Sequence, residues 1–331
     1  MKRLLTLMAV VFGLVFVAAA QRPLVTLSHN GELSFFSNLS ALQSALDSAQ
    51  NGDIIYLSEG QFTSNSGDIT IQKRVSIIGC GYKSHIIANL TVTMRGNPDS
   101  YMDAPLFDGV RMEKLSFEAN TTDESKINLQ EVEIRKCRIR ELVNGGHAGN
   151  DFRLDRCLIE SADFSGARFN NTYVSNCKIR KMVDGSTGYI QISNCTIEST
   201  HTCPRVVMNS IIAGTTATNY GGAMATTGGT STIYNSLFPS TELVNNNSSF
   251  VVDNCYFEDP EGGLLDDDLN CNINLTLKGY LGDDGTIVGA DGGEFPFSLT
   301  PSVPTVDSDN SSVEYDADAN KLKVTITVME N

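Results

Sequence analysis

Apolar and polar residues alternate through the middle of this chain, skip one place, then alternate again. In the run from Tyr189 to Glu198, Ile190 and Ile192 lie on one side, and Cys195 and Ile197 do so again after Ser193-Asn194. Alternation sends successive side chains to opposite faces of a strand. The skipped residue must therefore be a bend that keeps the apolar set on one side. Five stretches centred on Cys137, Cys157, Cys177, Cys195 and Cys255 superpose in this frame, and the same frame is read around Leu115, Ser210 and Ser236. Repeats of this size with period-2 alternation predict stacked coils, not one closed core. Asn fills the bend at Asn176, Asn194, Asn209, Asn235 and Asn254. Asn tolerates a left-handed backbone, and stacked amides can bond to one another.

A stack of coils has two open ends. At the front, the segment Asn38 to Ala49 predicts a short amphipathic helix with Leu39, Leu42 and Leu46 on one stripe, capped by Ser37 or Asn38 and ended by Asn51-Gly52. At the back, Gly279 to Pro304 is aperiodic and rich in Gly, Asp and Pro, as expected of a segment closing the last coil. Beyond it, Val313 to Tyr315 and Leu322 to Val328 alternate as a hairpin.

The run LQSALDSAQNGDIIYLSEGQFTSNSGDITIQKRVSIIGCG, together with the SNC-x-I units, resembles the secreted right-handed parallel β-helix proteins of the pectate-lyase-like superfamily, of the bacterial exported type. The likeness spans most of residues 38–258. It implies an all-β, right-handed parallel β-helix with an N-terminal amphipathic helix cap and a small C-terminal β extension. The expected organisation is a signal peptide at 1–20, an N-terminal strand and capping helix at 21–51, the β-helix at 52–278, and a C-terminal cap with hairpin at 279–331. The superfold hosts lyases, hydrolases, adhesins and spacers, so it does not by itself choose a function.

Lys2-Arg3, an apolar run to Val17 and Ala18-Ala19-Ala20 form the expected cleavable leader, which sends the chain to the periplasm, the cell surface or the medium. No second apolar run follows, so no membrane span is expected in the mature chain. With Lys+Arg 24 against Asp+Glu 39, the net charge of −15 argues against nucleic acid and anionic membrane surfaces. Basic residues nevertheless gather between Arg135 and Lys181. Arg140, Glu160, Arg180 and Glu198 alternate in sign at one position of consecutive coils, which reads first as an ion-pair ladder and second as a surface for an anionic ligand.

Four cysteines in one inward column read as stacked thiols acting as small buried hydrophobes, because in-register side chains point the same way and not at each other; one or more disulfides, and then a metal, are the alternatives. Cys80, Cys203 and Cys271 lie off that column.

Catalytic patterns of the superfamily are missing. No His precedes Gly, and neither Arg-x-Lys nor Arg-x-Pro-x-x-Arg occurs. The candidates left for catalysis are His147, Asp163 and Asp184, with Asp151, Arg153 and Tyr220 as ligand contacts. A turn rich in Asn, Asp and Gly is the plainer account of the first group. Asp266, Asp267 and Asp268 form an acidic loop where Ca²⁺ is the alternative to simple solvation, although EF-hand spacing is absent. No other cofactor is expected. The resulting expectation is a non-catalytic exported protein that binds a polysaccharide or another surface ligand. The alternatives are a polysaccharide lyase or glycoside hydrolase acting on the coil flank, and a structural or adhesin-like spacer.

Overall fold

The computed structural model describes residues 23–93, 105–117, 128–144, 148–166, 168–183, 189–216, 224–226, 229–245, 249–300, 305–316 and 321–329. The chain opens with an antiparallel hairpin, β1 (Val25–His29) and β2 (Glu32–Phe36). Asn30 and Gly31 make the turn at φ 49° and 85°, the double left-handed geometry that suits a two-residue hairpin loop. Helix α1 (Ala41–Ser48) follows and buries Ala41, Leu42, Ala45 and Leu46. It is shorter than its sequence pattern suggests: Asn38 Oδ1 accepts the Ser40 N–H at 2.9 Å and ends the preceding turn, leaving Leu39 77% exposed.

Next the chain enters the stack. The first coil holds β3 (Asp53–Leu57), β4 (Gly60–Phe62) and β5 (Asp68–Ile71), and β6 (Val75–Val92) and β7 (Leu106–Phe117) each run through a whole coil. Later coils split at the bend: β8 (Asn128–Arg135) with β9 (Arg138–Asn144), β10 (Ala148–Asp155) with β11 (Leu158–Asp163), β12 (Arg168–Ser175) with β13 (Lys178–Val183), and β14 (Tyr189–Ser193) with β15 (Thr196–Thr200). After the short β16 (Thr202–Cys203) come β17 (Val206–Met208) and β18 (Ile211–Ile212), and β19 (Ala225–Thr226) pairs back on β16. β20 (Ser231–Tyr234) with β21 (Leu237–Phe238), helix α2 (Glu242–Asn245), and β22 (Phe250–Asp253) with β23 (Tyr256–Phe257) complete the stack.

Every pairing from β3 to β23 is parallel and joins one coil to the next, so the molecule is an all-β, solenoid-like stack. β1 pairs antiparallel with β3 and covers the front edge. The core is a set of inward columns: Ile134, Leu154, Val174, Ile192, Val207 and Ile233 before the bend, and Ile139, Ile159, Ile179, Ile197 and Ile212 after it, none more than 1% exposed. Phe152 packs edge-on between Phe117 and Phe164, with ring centroids at 5.4 and 6.0 Å.

The bend is left-handed in each of these coils. Asn176, Asn194, Asn209, Asn235 and Asn254 have φ between 47° and 50°, and Lys136 and Arg156 take φ 52° at the same position. A left-handed residue turns the next N–H away from the ladder, while the carbonyl before it still accepts the bend N–H of the previous coil, as Ser175 O does from Arg156 at 3.0 Å and Ser193 O from Asn176 at 3.1 Å. The column residue serves both groups. Each thiol or hydroxyl donates to the carbonyl two residues back: Cys177 to Ser175 O at 3.1 Å, Cys195 to Ser193 O at 3.2 Å, Ser210 to Met208 O at 2.7 Å. Each also accepts the N–H of the column residue one coil earlier. Cys157 N reaches Cys177 Sγ at 3.3 Å, Cys177 N reaches Cys195 Sγ at 3.4 Å, Cys195 N reaches Ser210 Oγ at 3.1 Å, and Ser210 N reaches Ser236 Oγ at 3.1 Å. All eight cysteines are free thiols. Burial pushes the thiols of Cys137, Cys157 and Cys177 well above the ordinary range, which keeps them protonated as donors. From Cys137 onward the column is thus a polar ladder as well as part of the packed core, which accounts for Ser in the place of Cys at Ser210 and Ser236.

The same register corrects the frame around Leu115. Met112 pairs with Ile139 and Leu115 with Leu142, so the residue matching Cys137 is Val110, which follows the left-handed Gly109 at φ 61°. The apolar alternation runs on past the bend, so a frame displaced by five residues still finds hydrophobic matches.

The tail also departs from expectation. From Glu258 the chain turns back along the outside of the stack instead of closing the last coil. Tyr280 stacks on Tyr256 with centroids 4.4 Å apart. Asn209 Nδ2 donates to Asp283 Oδ1 at 2.6 Å, Asn194 Nδ2 to Asp284 Oδ2 at 3.2 Å, and Asn176 Nδ2 to the Gly292 carbonyl at 2.9 Å. The bend amides therefore hold this strap, and among the described residues the bends make an amide-to-amide contact only between Asn254 and Asn235, at 2.6 Å. Helix α3 (Leu275–Lys278) contributes Leu275 to a second small core with Ile211, Leu237, Leu264 and Val288. Beyond the strap, β24 (Thr305–Asp316) pairs antiparallel with β25 (Lys321–Met329), the alternating hairpin read from the sequence.

Candidate functional site

The outward residues of the strands before the bend form one continuous face. Parallel register sets Glu131, Asp151, Asn171 and Tyr189 in one row, and Glu133, Arg153, Tyr173 and Gln191 in the next. Strict alternation places these side chains outside while Val132, Phe152, Leu154 and Val174 fill the core.

Arg153 is the centre of the face. Its Nε lies 2.8 Å from Glu131 Oε1, its Nη2 lies 3.2 Å from Asp151 Oδ2, and its guanidinium carbon lies 5.0 Å from the centroid of the Tyr173 ring. Asn171 Nδ2 donates to Asp151 Oδ1 at 2.9 Å. Tyr189, 40% exposed, presents a second ring one coil on. The face pairs a neutralised cation with two carboxylates on one side, and offers aromatic rings with amides on the other. Such a surface can stack on a planar or ring-shaped ligand and hydrogen-bond its hydroxyls.

Both carboxylate oxygens of Asp151 already have partners. Asp163, at the end of β11, accepts the Ser165 N–H at 2.8 Å and fixes its own turn, the local role a turn aspartate usually has. His147, Asp184 and Tyr220 lie outside the described residues. Asn144, three residues before His147 in the sequence, is 1% exposed and neither of its amide atoms has a partner among the described residues.

Several of the basic side chains are paired within the stack. Arg140 Nε contacts Glu113 at 2.7 Å, and Arg180 bridges Glu160 at 2.9 Å and Glu198 at 3.0 Å. His85 joins the same row at 2.7 Å from Glu113. Burial opposes ionisation of Glu113, but the hydrogen bonds from His85 and Arg140 outweigh it and hold the carboxyl below its usual range. Arg135 pairs with the buried Asp108 at 2.9 Å. Lys178, only 5% exposed, sits beneath the strap against Asp291 at 3.2 Å and Asn270 at 2.9 Å. The alternating signs are thus an ion-pair ladder.

In the acidic loop the Asp266 carboxylate is tied to its own turn. Asp266 Oδ1 accepts the N–H groups of Asp268 and Asn270 at 2.9 and 2.8 Å, and Oδ2 accepts Asn270 Nδ2 at 3.1 Å. These bonds, that of the Asn270 N–H first, lower the Asp266 pKa. The Asp267 carbonyl holds Arg180 Nη2 at 2.7 Å. No group of three metal-ligating side chains occurs among the described residues.

Two features escaped sequence reasoning. Shallow grooves of about 610 and 510 Å³ flank α1, sharing Ser40 and Asn65 and lined chiefly by hydroxyl and amide side chains such as Ser37, Gln61, Thr63, Ser64 and Gln72. Their only forewarning is the density of Ser and Asn at 37–44 and 61–66. The other is Tyr173, whose position over Arg153 depends on coil register.

In comparisons with known proteins, no family model, curated protein or solved structure matches this chain. The class that can be stated is an all-β protein built on a long parallel sheet of stacked coils. No helix among the described residues is long and apolar enough to cross a membrane.

Proposed function

We propose that the chain is an exported right-handed β-helix that binds glycans without cleaving them, through the outer face around Arg153, Tyr173 and Tyr189. Right-handedness is supported by the near-universal hand of parallel crossover connections. Export is supported by the charged, apolar and small-residue order of residues 1–20. The observation that carries the binding reading is the cluster of two tyrosines beside Asp151, Asn171 and Gln191, with the one cation of the cluster already neutralised. Aromatic planes and neutral amides favour uncharged sugar rings over polyanions, in keeping with the acidic chain as a whole.

A glycan panel assayed both for binding and for new reducing or unsaturated ends tests this. The expected result is binding without turnover, weakened severalfold in Tyr189→Ala and Tyr173→Ala with unchanged melting temperature. Turnover of any polysaccharide that is lost in Asp184→Ala or His147→Ala establishes the lyase or hydrolase reading in its place. Neither binding nor turnover leaves a structural spacer.

A further inference from the structure

The two ends of the stack are finished differently. At the front, β1 and α1 cover the first coil. At the back, β22 pairs only with β20 and β23 only with β21 among the described residues, so their outer edges are unpaired. Phe250, Val252, Cys255 and Phe257 occupy the inward columns but remain half-buried, while Ile233 and Phe238 one coil earlier are at 0%. Unpaired parallel edges over an apolar floor are a ready template for another strand. The strap runs the other way and leaves this end open.

The same chain carries a strand without a sheet. Among the described residues β24 and β25 pair only with each other, and a lone two-stranded hairpin is marginal in water. Its second strand alternates Leu322, Val324, Ile326 and Val328 with Lys323, Thr325 and Thr327. Charge matches as well. The open coil carries Asp253, Asp259 and Glu261, and Lys321 and Lys323 are the only basic residues after Lys278.

We propose that the open coil is an interface between copies of this chain, with strand β25 of one molecule laid along Phe250–Asp253 of another. Connector length favours a second copy over the chain's own hairpin. Phe297 is anchored against Lys178, at 5.2 Å from Nζ to ring centroid. The level beyond Cys255 is five coils further on, about 24 Å at a spacing of about 4.8 Å. The links from Phe297 to Thr305, through Pro301 and Pro304, reach about 25 Å at about 3.1 Å per residue. That leaves no slack for the sideways step onto the open end.

The test uses the full-length protein and its native thiols. Cys255 is a half-buried thiol at the open end, and Cys80 and Cys271, also half-buried, are internal references. The expected results are association that rises with concentration in light scattering, and Cys255 alkylation that slows severalfold relative to Cys80 over the same range. Val252→Lys abolishes both effects. Ile326→Lys, on the other element, does so too without changing the melting of the stack, which excludes simple fraying. Alkylation of Cys255 that is slow at every concentration overturns the proposal in favour of the chain's own hairpin. Alkylation that is fast at every concentration shows that nothing covers the end, and overturns it as well.

Discussion

The coil around Cys195 and the coil around Cys255 are written in nearly the same pattern, yet they fare differently. Ile190, Ile192, Cys195 and Ile197 are at most 1% exposed, whereas Phe250, Val252, Cys255 and Phe257 are half-buried. The difference is the neighbour. In a stack each coil is covered by the coils above and below it, so burial belongs to the interface and not to the repeat. An identical substitution should therefore cost much more in the middle than at the end.

The largest expected effect breaks this comparison at its aromatic centre. Phe152→Ala should destabilise the stack by about 3–5 kcal/mol, since Phe152 is wholly buried between two rings. At protein concentrations too low for association, Phe257→Ala should cost well under half of that. Equal losses in denaturant unfolding would mean that the last coil is covered in solution.

The bend ladder sharpens the comparison. Cys177→Ala leaves the buried Cys157 N–H without its partner, while the Ser175 carbonyl keeps the Arg156 N–H at 3.0 Å; one orphaned buried group should cost about 1–3 kcal/mol. Cys177→Ser restores the bond and should recover most of the loss. Cys255→Ala, at the open end, should be the mildest of the three. If Cys177→Ser and Cys177→Ala melt alike, the ladder contributes nothing. Because all eight cysteines are thiols, reductant should leave the melting temperature unchanged.

A smaller effect, of opposite sign, is expected where the bend is occupied by Lys136. A left-handed backbone costs an ordinary L-residue roughly 1–2 kcal/mol and asparagine less. Lys136→Asn should thus stabilise the protein by about 0.5–1 kcal/mol in the same assay. A loss would show that the Lys136 side chain has a role that outweighs its strain.

The smallest effect is the pH dependence of the ion-pair row. The folded Glu113 carboxyl lies below its ordinary value, because the His85 and Arg140 bonds overcome burial. Its contribution is present above the unfolded pKa, about 4.3, and is lost as pH falls through the lower folded pKa. Acid melts should show a drop below about pH 4 that Glu113→Gln flattens. Unchanged acid sensitivity in that variant would move the effect to Asp53. There burial is outweighed by bonds from the Gln50 N–H and His29, and the carboxyl is again lowered.

What the sequence determined by itself is whatever repeats locally. The left-handed bends at the five asparagines follow from the skipped place in the alternation. The thiol column and the sign-alternating row follow from equal offsets to that bend. The hairpin at Lys321–Met329 follows from period-2 alternation. Each of these is set by a residue's place in its own coil. Tertiary structure decided the rest. The frame at Val110 rests on Gly109 and the register with Ile139. The direction of the strap rests on bonds from Asn176, Asn194 and Asn209 to residues 74 or more positions away. The burial of Lys178 rests on that strap, and Tyr173 meets Arg153 only because consecutive coils stack without slipping. Alternation says which side of a strand a residue takes; it carries no information about which distant segment will lie against that side.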